Sequence, residues 1–342
     1  MTGFSDGSGE IVMKDAGAPL VSIVVPCFNQ GCYLPSAIES CLAQTHPNIE
    51  VIVINDGSTD NTDEAAARYP SIRYIAQENR GVGNARNAGL EHSRGEYVQF
   101  IDADDRLTPG AIESHLECFS AHPEAGFVVG DIEWINEEGK CTGRGNWPVL
   151  ETNFYEELLR VNHVANTIAV LFKRYVLVKI GGFKSFFAPA EDYELLLRAA
   201  RSFSSAHHGN VVAQYRRHGS NTSRKGAIML RATNRVVCAE RPFVAHSARL
   251  RAALRRGDQH WRDFFGGVAI KEGFRHLRAG NIAGAATTAA ALMRYVRGRL
   301  IVIPWKYRHR GTEAARRRLR QLRQRLHLSP RRTGVMLDAR LK

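Results

Sequence analysis

The stretch QFIDADD, Gln99 to Asp105, runs an apolar segment into Asp102, Asp104 and Asp105, three carboxylates within four positions. Ionised neighbours ~5 Å apart repel by about 3 kcal/mol at an effective dielectric near 20. Such a group needs a positive partner, and the stretch itself holds none. The missing charge need not be protein. A second acidic pair, Glu191 and Asp192, opens the segment AEDYELLLRAA. Acids in a helix's first turn complement its dipole, so on its own this pair reads as structural.

The elements that must position these residues follow from apolar patterning. Four β-branched runs, at 20–25, 50–54, 72–76 and 97–101, suit strands buried on both faces of a parallel sheet. Between and after them the sequence predicts helices over 33–44, 59–68, 82–92 and 108–121, with Asp60 and Asp63 early in the second and Pro109 first in the fourth. Alternating strand and helix implies right-handed crossovers and a doubly wound α/β sheet. Each strand ends in polar residues: Pro26–Asn29, NDGSTD (55–60), QENRG (77–81) and DADD (102–105). One such loop is ordinary; four at the carboxyl edge, where open α/β sheets bind ligands, describe a binding site.

A chain of 342 residues holds one large domain with an extension. Its net charge of +13 is uneven: residues 244–342 carry 24 Lys/Arg against 5 Asp/Glu, whereas residues 1–243 carry 23 against 29. The six cysteines show no CxxC pair and no zinc-like spacing with histidine, and their scatter suits small core residues in a reducing cytoplasm. Residues 1–19 lack a basic and apolar signal pattern and read as a frayed leader. Ala279–Met293 is uncharged yet too short to span a bilayer.

Six blocks across residues 20–223 resemble, in order, the family 2 glycosyltransferases of GT-A fold: VSIVVPCFNQGCYLPSAIESCLAQTH, VIVINDGSTDNT, ENRGVGNARNAGL, GEYVQFIDADD, GGFKSFFAPAEDYELLLR and YRRHGSNTS. The resemblance implies a GT-A catalytic domain over 20–230, with a nucleotide-sugar half (20–106) and an acceptor half (107–230). It makes Asp102, Ala103 and Asp104 the family's DxD motif. Two carboxylates two positions apart on extended chain project to one side and suit Mn²⁺ or Mg²⁺, which would bridge the donor diphosphate. Asp56 matches a nucleoside-binding position, with Pro26 and Asn29 shaping the same pocket, although NDGSTD is also good turn chemistry. Arg86 and Asn87 would face the nucleotide, with Arg86 aiding the diphosphate or positioning Asp102; an exposed helical arginine is the plain alternative. Asp192 matches the general base that takes the acceptor's proton, with Glu191 second choice. Gly182 and Phe183 would line the acceptor pocket, and His218 would approach the metal, with Arg216 undecided. The reaction implied inverts the anomeric carbon.

NRGVGNARNAG lacks the third glycine of a dinucleotide fingerprint and follows the wrong strand, so a Rossmann oxidoreductase fits poorly. A nucleotidyltransferase should carry a cationic Gly-rich loop after the first strand, and PCFNQGCYLP has no cation. A non-catalytic binding subunit would have no need of Asp102, Asp104 and Asp192. Residues 231–342 read as a basic, mainly helical region. TEAARRRLRQLRQRLHL (312–328) sets Ala315, Leu319, Leu322 and Leu326 at helical spacing among arginines, and 294–310 adds Trp305 and Tyr307. Such a helix suits an anionic membrane surface, with packing on the catalytic domain as the alternative and nucleic acid disfavoured. The expectation is an enzyme on the cytoplasmic side, using a nucleotide-diphosphate sugar and a glycan or lipid-linked acceptor.

Overall fold

The computed structural model describes residues 17–145 and 153–296, apart from 163, 165 and 220. The first half alternates as its apolar runs dictate: β1 (Val21–Cys27), α1 (Leu34–Leu42), β2 (Ile49–Asn55), α2 (Thr62–Ala67), β3 (Arg73–Ala76), α3 (Val82–His92) and β4 (Tyr97–Phe100). Then come β5 (Arg106–Leu107), α4 (Ala111–Ala121), β6 (Ala125–Ile135), β7 (Cys141–Arg144), α5 (Phe154–Arg160), β8 (Val170–Lys173), α6 (Arg174–Ile180), α7 (Glu191–Ser202) and β9 (Ser204–Arg216). Three helices close the described chain: α8 (Gly226–Val244), α9 (Ala248–Arg278) and α10 (Ile282–Tyr295).

The nine strands form one sheet in the order β3-β2-β1-β4-β8-β6-β9-β5, with β7 paired to β6. The pairings β3–β2, β2–β1 and β1–β4 are parallel, so the loops after these four strands meet at one edge. β6–β9 is also parallel, while β8, β5 and β7 pair antiparallel with their neighbours. Pro26 sits inside β1 opposite Ile54, but β4 pairs β1 only over Val21–Val24. Its missing N–H therefore interrupts no ladder toward β4. Helix α3 lies very close to the sheet: a Cβ on Gly89 would stand 2.1 Å from Val24 Cγ1.

One expected boundary shifts. The helix placed at Thr108 begins at Ala111, because Thr108 still donates its N–H to Val212 and its hydroxyl to Val211 of β9. A sheet contact holds those residues extended, which the local pattern does not show. The cysteines also divide: Cys27, Cys41 and Cys118 are buried, but Cys32, Cys141 and Cys238 are exposed. Half of them are thus not core residues.

Position 230 falls inside α8, whose Ala232, Val236, Val237 and Val244 belong to the main hydrophobic core. Helix α9 crosses α5 where Gly257 meets the Leu159 carbonyl; a Cβ there would come within 1.9 Å of that oxygen. No described helix is long and apolar enough to cross a membrane. The basic segment 312–328 and all but the first three residues of 294–310 lie outside the described residues.

Candidate active site

Arg86 organises the edge. It projects from α3 and is 4% exposed. One guanidinium nitrogen meets Asp102 Oδ1 at 2.6 Å and the other meets Glu191 Oε1 at 3.1 Å. Its guanidinium also stands over the Phe183 ring, 5.2 Å from the centroid. The plain reading of an exposed helical arginine is therefore overturned. Asn166 donates to the other oxygen of Asp102, at 2.8 Å. Burial would raise the Asp102 carboxyl, but the Arg86 charge and these hydrogen bonds hold it below its ordinary value.

Asp104 and Asp105 have a different setting. His218, two residues past β9, brings Nε2 to 2.6 Å from Asp104 Oδ2. Asp105 Oδ1 accepts the Arg216 N–H at 2.7 Å, while Oδ2 is buried with no hydrogen-bond partner among the described residues. Arg216 itself is 2% exposed and spends its guanidinium on the carbonyls of Asp104, Asn136 and Glu137. Burial, then the charge of Asp102, pushes the Asp104 carboxyl up. Burial and both neighbouring carboxylates push Asp105 well up. Asp105 thus fastens β9 to the end of β4.

Ligand oxygens of Asp102, Asp104 and Asp105 all lie within 4.8 Å of one another. An all-oxygen set suits a hard divalent cation, and each carboxylate keeps lone pairs beyond its hydrogen bonds. The orphaned buried oxygen of Asp105 and the upward pressure on two of the three carboxyls fit a missing positive charge. His218 falls outside this set. It reaches Asp104, one member of the set, which places it at the edge of the cluster.

At the neighbouring strand ends, loops brace one another. Asp56 is 2% exposed and accepts from Gln77 Nε2, Arg80 N and Gly81 N at 2.7, 2.9 and 2.8 Å. Asn29, with φ of 52°, accepts from Thr59 N, and its own N–H donates to Ser58. Asp60 reaches Gly31 N at 2.9 Å and Thr62 N at 3.1 Å. The loops after β1, β2 and β3 are therefore one hydrogen-bonded body. Pro26 and Ala103 are buried and offer backbone only.

The acceptor-side residues are placed differently from the expectation. Asn87 does not turn to the nucleotide edge: its amide clamps Phe183 by donating to the carbonyl and accepting from the N–H, both at 2.8 Å. Phe183 is 3% exposed and packs edge-on against Phe100, 5.0 Å between centroids, so it supports Arg86 from the core and lines no open pocket. Gly182 has φ of 60°, and a Cβ there would stand 2.4 Å from Asn87 Oδ1. The turn shapes the loop that leads to α7.

Glu191 and Asp192 sit in the first turn of α7. Glu191 is buried on Arg86, with Oε2 unpaired among the described residues. Asp192 is half-buried, and one of its oxygens accepts from Tyr193 N. Burial, reinforced by Glu191 and opposed by Arg86, pushes its carboxyl up to about 7. A carboxylate poised there is suited to accept a proton near neutrality.

Known proteins decide the family. The sequence profile described as Glycosyl transferase family 2 matches residues 22–181. Residues 22–181 form a glycosyl transferase family 2 region. The match takes in β1 through Gly181 just after α6, and so includes the Asp102–Asp105 cluster. Chondroitin synthase of Escherichia coli is 32% identical over 212 residues, covering 60% of this chain but 30% of that protein. The chain thus spans less than a third of this curated relative. In fold, it is similar to mannosyltransferase PcManGT from Pyrobaculum calidifontis in complex with GDP-Man and Mn²⁺ (TM-score 0.54, 19% identity, 88% of this chain and 81% of that one). It is also similar to TarS 1–349 of S. aureus in complex with UDP-GlcNAc (TM-score 0.50, 16% identity, 80% and 91% covered). The expected mixed α/β GT-A architecture is the observed one.

Sequence reasoning missed Asn166. It stands alone before a short helical turn, and nothing in its neighbourhood signals that it reaches back 64 positions to Asp102.

Proposed function

We propose that the protein transfers a sugar from a nucleoside-diphosphate sugar to a hydroxyl of a glycan or lipid-linked acceptor, inverting the anomeric carbon. One observation carries this reading: Arg86 joins Asp102, in the carboxylate cluster after β4, to Glu191 in the acidic first turn of α7. A cation site and a basic carboxylate are thereby held in one frame. Asp102 and Asp104 would hold Mn²⁺ or Mg²⁺, with Asp105 beside them, and the ion would supply positive charge to the departing diphosphate. His218 and Asn166 orient the two carboxylates. Asp192 accepts the hydroxyl proton of the acceptor as that oxygen bonds to the anomeric carbon. The bond to the diphosphate oxygen breaks on the opposite face, so no protein nucleophile is required.

Asp56 and the braced loops around it are the proposed nucleoside floor. UDP is the proposed nucleotide, in keeping with the UDP-GlcNAc complex of TarS. The likeness to chondroitin synthase favours a role in cell-surface polysaccharide synthesis, and the proposed place of the enzyme is the cytoplasmic side. The test is a donor screen that reads nucleoside diphosphate release with Mn²⁺ or Mg²⁺ present. Release should stop in EDTA and in Asp104→Ala. Undiminished release in EDTA would remove the metal from the reading.

A further inference from the structure

The uncharged stretch Ala279–Met293 is neither a span nor a core helix. It forms the turn after α9 and most of α10, where only Thr288 and Ala291 of the helix are buried. Of its large apolar side chains, Leu292 packs against the small core around Phe265, while Ile282 is 67% exposed and Met293 65%. The last turns of α9 add Phe274, 60% exposed, and Leu277, 54%. Single exposed apolar residues need no explanation, but Phe274, Leu277 and Ile282 fall close together around the α9–α10 turn, and Met293 follows about three turns on along the Ile282 face of α10.

Within the hairpin's own span the charge has one sign, the acids Asp258, Asp263 and Glu272 lying earlier on α9. Arg275, Arg278 and Arg294 are exposed, and neither Arg275 nor Arg278 makes an ion pair among the described residues. From Phe274 to Val296 there is no acid at all. The nearest one before it, Glu272, accepts a hydrogen bond from Ala227 N. The hairpin also has a definite place relative to the site. Gly226, which opens α8 eight residues after His218, packs on the backbone of Ala269. The remaining turns of α9 therefore project about 13 Å past the start of α8, on the side where the chain leaves His218.

We infer that the α9–α10 hairpin is a membrane-docking element: Phe274, Leu277, Ile282 and Met293 enter the headgroup boundary of an anionic bilayer while the arginines engage lipid phosphates. Apolar side chains ringed by cations are the chemistry that an anionic interface recognises. An aqueous surface gives such residues nothing, and a protein partner would have to be acidic as well as apolar. The inference rests on the transferase reading only for its use, which is to hold the site over a lipid-borne acceptor. The surface differs from the basic segment 312–328.

The test is co-sedimentation of the full chain, without donor, on vesicles of phosphatidylglycerol and phosphatidylcholine at low salt. Phe274→Ser, Leu277→Ser and Ile282→Ser together should lower vesicle affinity by at least about tenfold, since each removes an apolar side chain from the bilayer. Arg275→Glu with Arg278→Glu should lose binding to these vesicles and keep whatever weak binding pure phosphatidylcholine gives. Both variants should keep the wild-type melting temperature and nucleotide-sugar affinity, which separates this surface from the site. The inference is overturned if the full chain ignores anionic vesicles. It is equally overturned if Arg316→Gln, Arg317→Gln, Arg318→Gln and Arg320→Gln together release the protein while the serine variant stays bound. A serine variant that changes only the oligomeric state would assign the patch to a second copy instead.

Discussion

The carboxyl edge of the sheet and the α9–α10 hairpin both concentrate charge of one sign, and they handle it in opposite ways. At the edge, Asp102, Asp104, Asp105 and Glu191 are drawn into or against the protein and shared among Arg86, His218 and the Arg216 backbone, with Asp192 beside them on Tyr193 N. On the hairpin, Arg275 and Arg278 stand in solvent without an ion pair among the described residues. Buried charges depend on one another, because removing one partner strands the other in low dielectric. Exposed charges are screened and nearly independent. Protein fabric is thus committed to the acidic edge, while the basic hairpin remains open to a partner.

The largest effect should follow from removing the shared cation. Arg86→Met leaves Asp102 and Glu191 both uncompensated, and a denaturant titration should show a loss of about 3–5 kcal/mol. A loss under ~1 kcal/mol would mean that the edge tolerates its charges independently, and the contrast with the hairpin would collapse. Next, Asp104→Asn should lower turnover by about 10³-fold, the few kcal/mol that a bound cation supplies to a developing negative charge. Its calorimetric titration with Mn²⁺ should lose the binding isotherm of the wild type.

Asp192→Asn should cost ~10²-fold in turnover with donor affinity held, the range of general-base catalysis. The wild-type pH–rate profile should rise with pH and level off above about 7, where Asp192 is ionised. The sign for stability is the reverse. Between 3.8 and about 7 the folded state binds more protons at this carboxyl than the unfolded state does, so its contribution falls as pH rises through that window. Asp192→Asn should therefore melt above wild type at pH 8 and match it near pH 4. A variant that loses donor binding in parallel with turnover would make Asp192 structural.

The smallest effect at the edge should be that of Asn166→Ala, about tenfold in turnover, for one hydrogen bond to an ionised group. On the hairpin, Arg278→Gln should leave the melting midpoint unchanged within about 0.5 kcal/mol of stability. A larger loss there would show that the hairpin cations are as interdependent as the acids of the edge.

Much of this arrangement is legible in the residues. β1, β2 and β4 carry continuous apolar runs because both faces of the sheet are covered there, whereas β3, expected to be buried in the same way, is the edge strand and holds no buried residue. The strand ends show polar clusters because a strand edge must turn in water. That Asp102 and Asp104 cluster, and that Arg86 stands beside Asp102, is legible from spacing and from resemblance to the family. Partners across long separations were not. Asn166 to Asp102, Asn87 to Phe183 and Asp105 to Arg216 N are contacts that sheet order creates, and no local period encodes sheet order. Phe183 illustrates the same limit. An aromatic after GG suggests an open wall, but α3 carries Arg86 over it and the ring becomes a buried support.

Asp56 has one further consequence. Its two oxygens hold the backbone of Arg80 and Gly81, and Asn29 holds that of Thr59, so three loops from three strands are immobilised by side chains of the protein itself. Any ligand arriving above them meets a surface whose conformational entropy was surrendered during folding. Association there forfeits only the ligand's own freedom, and the loops contribute shape without a second ordering cost.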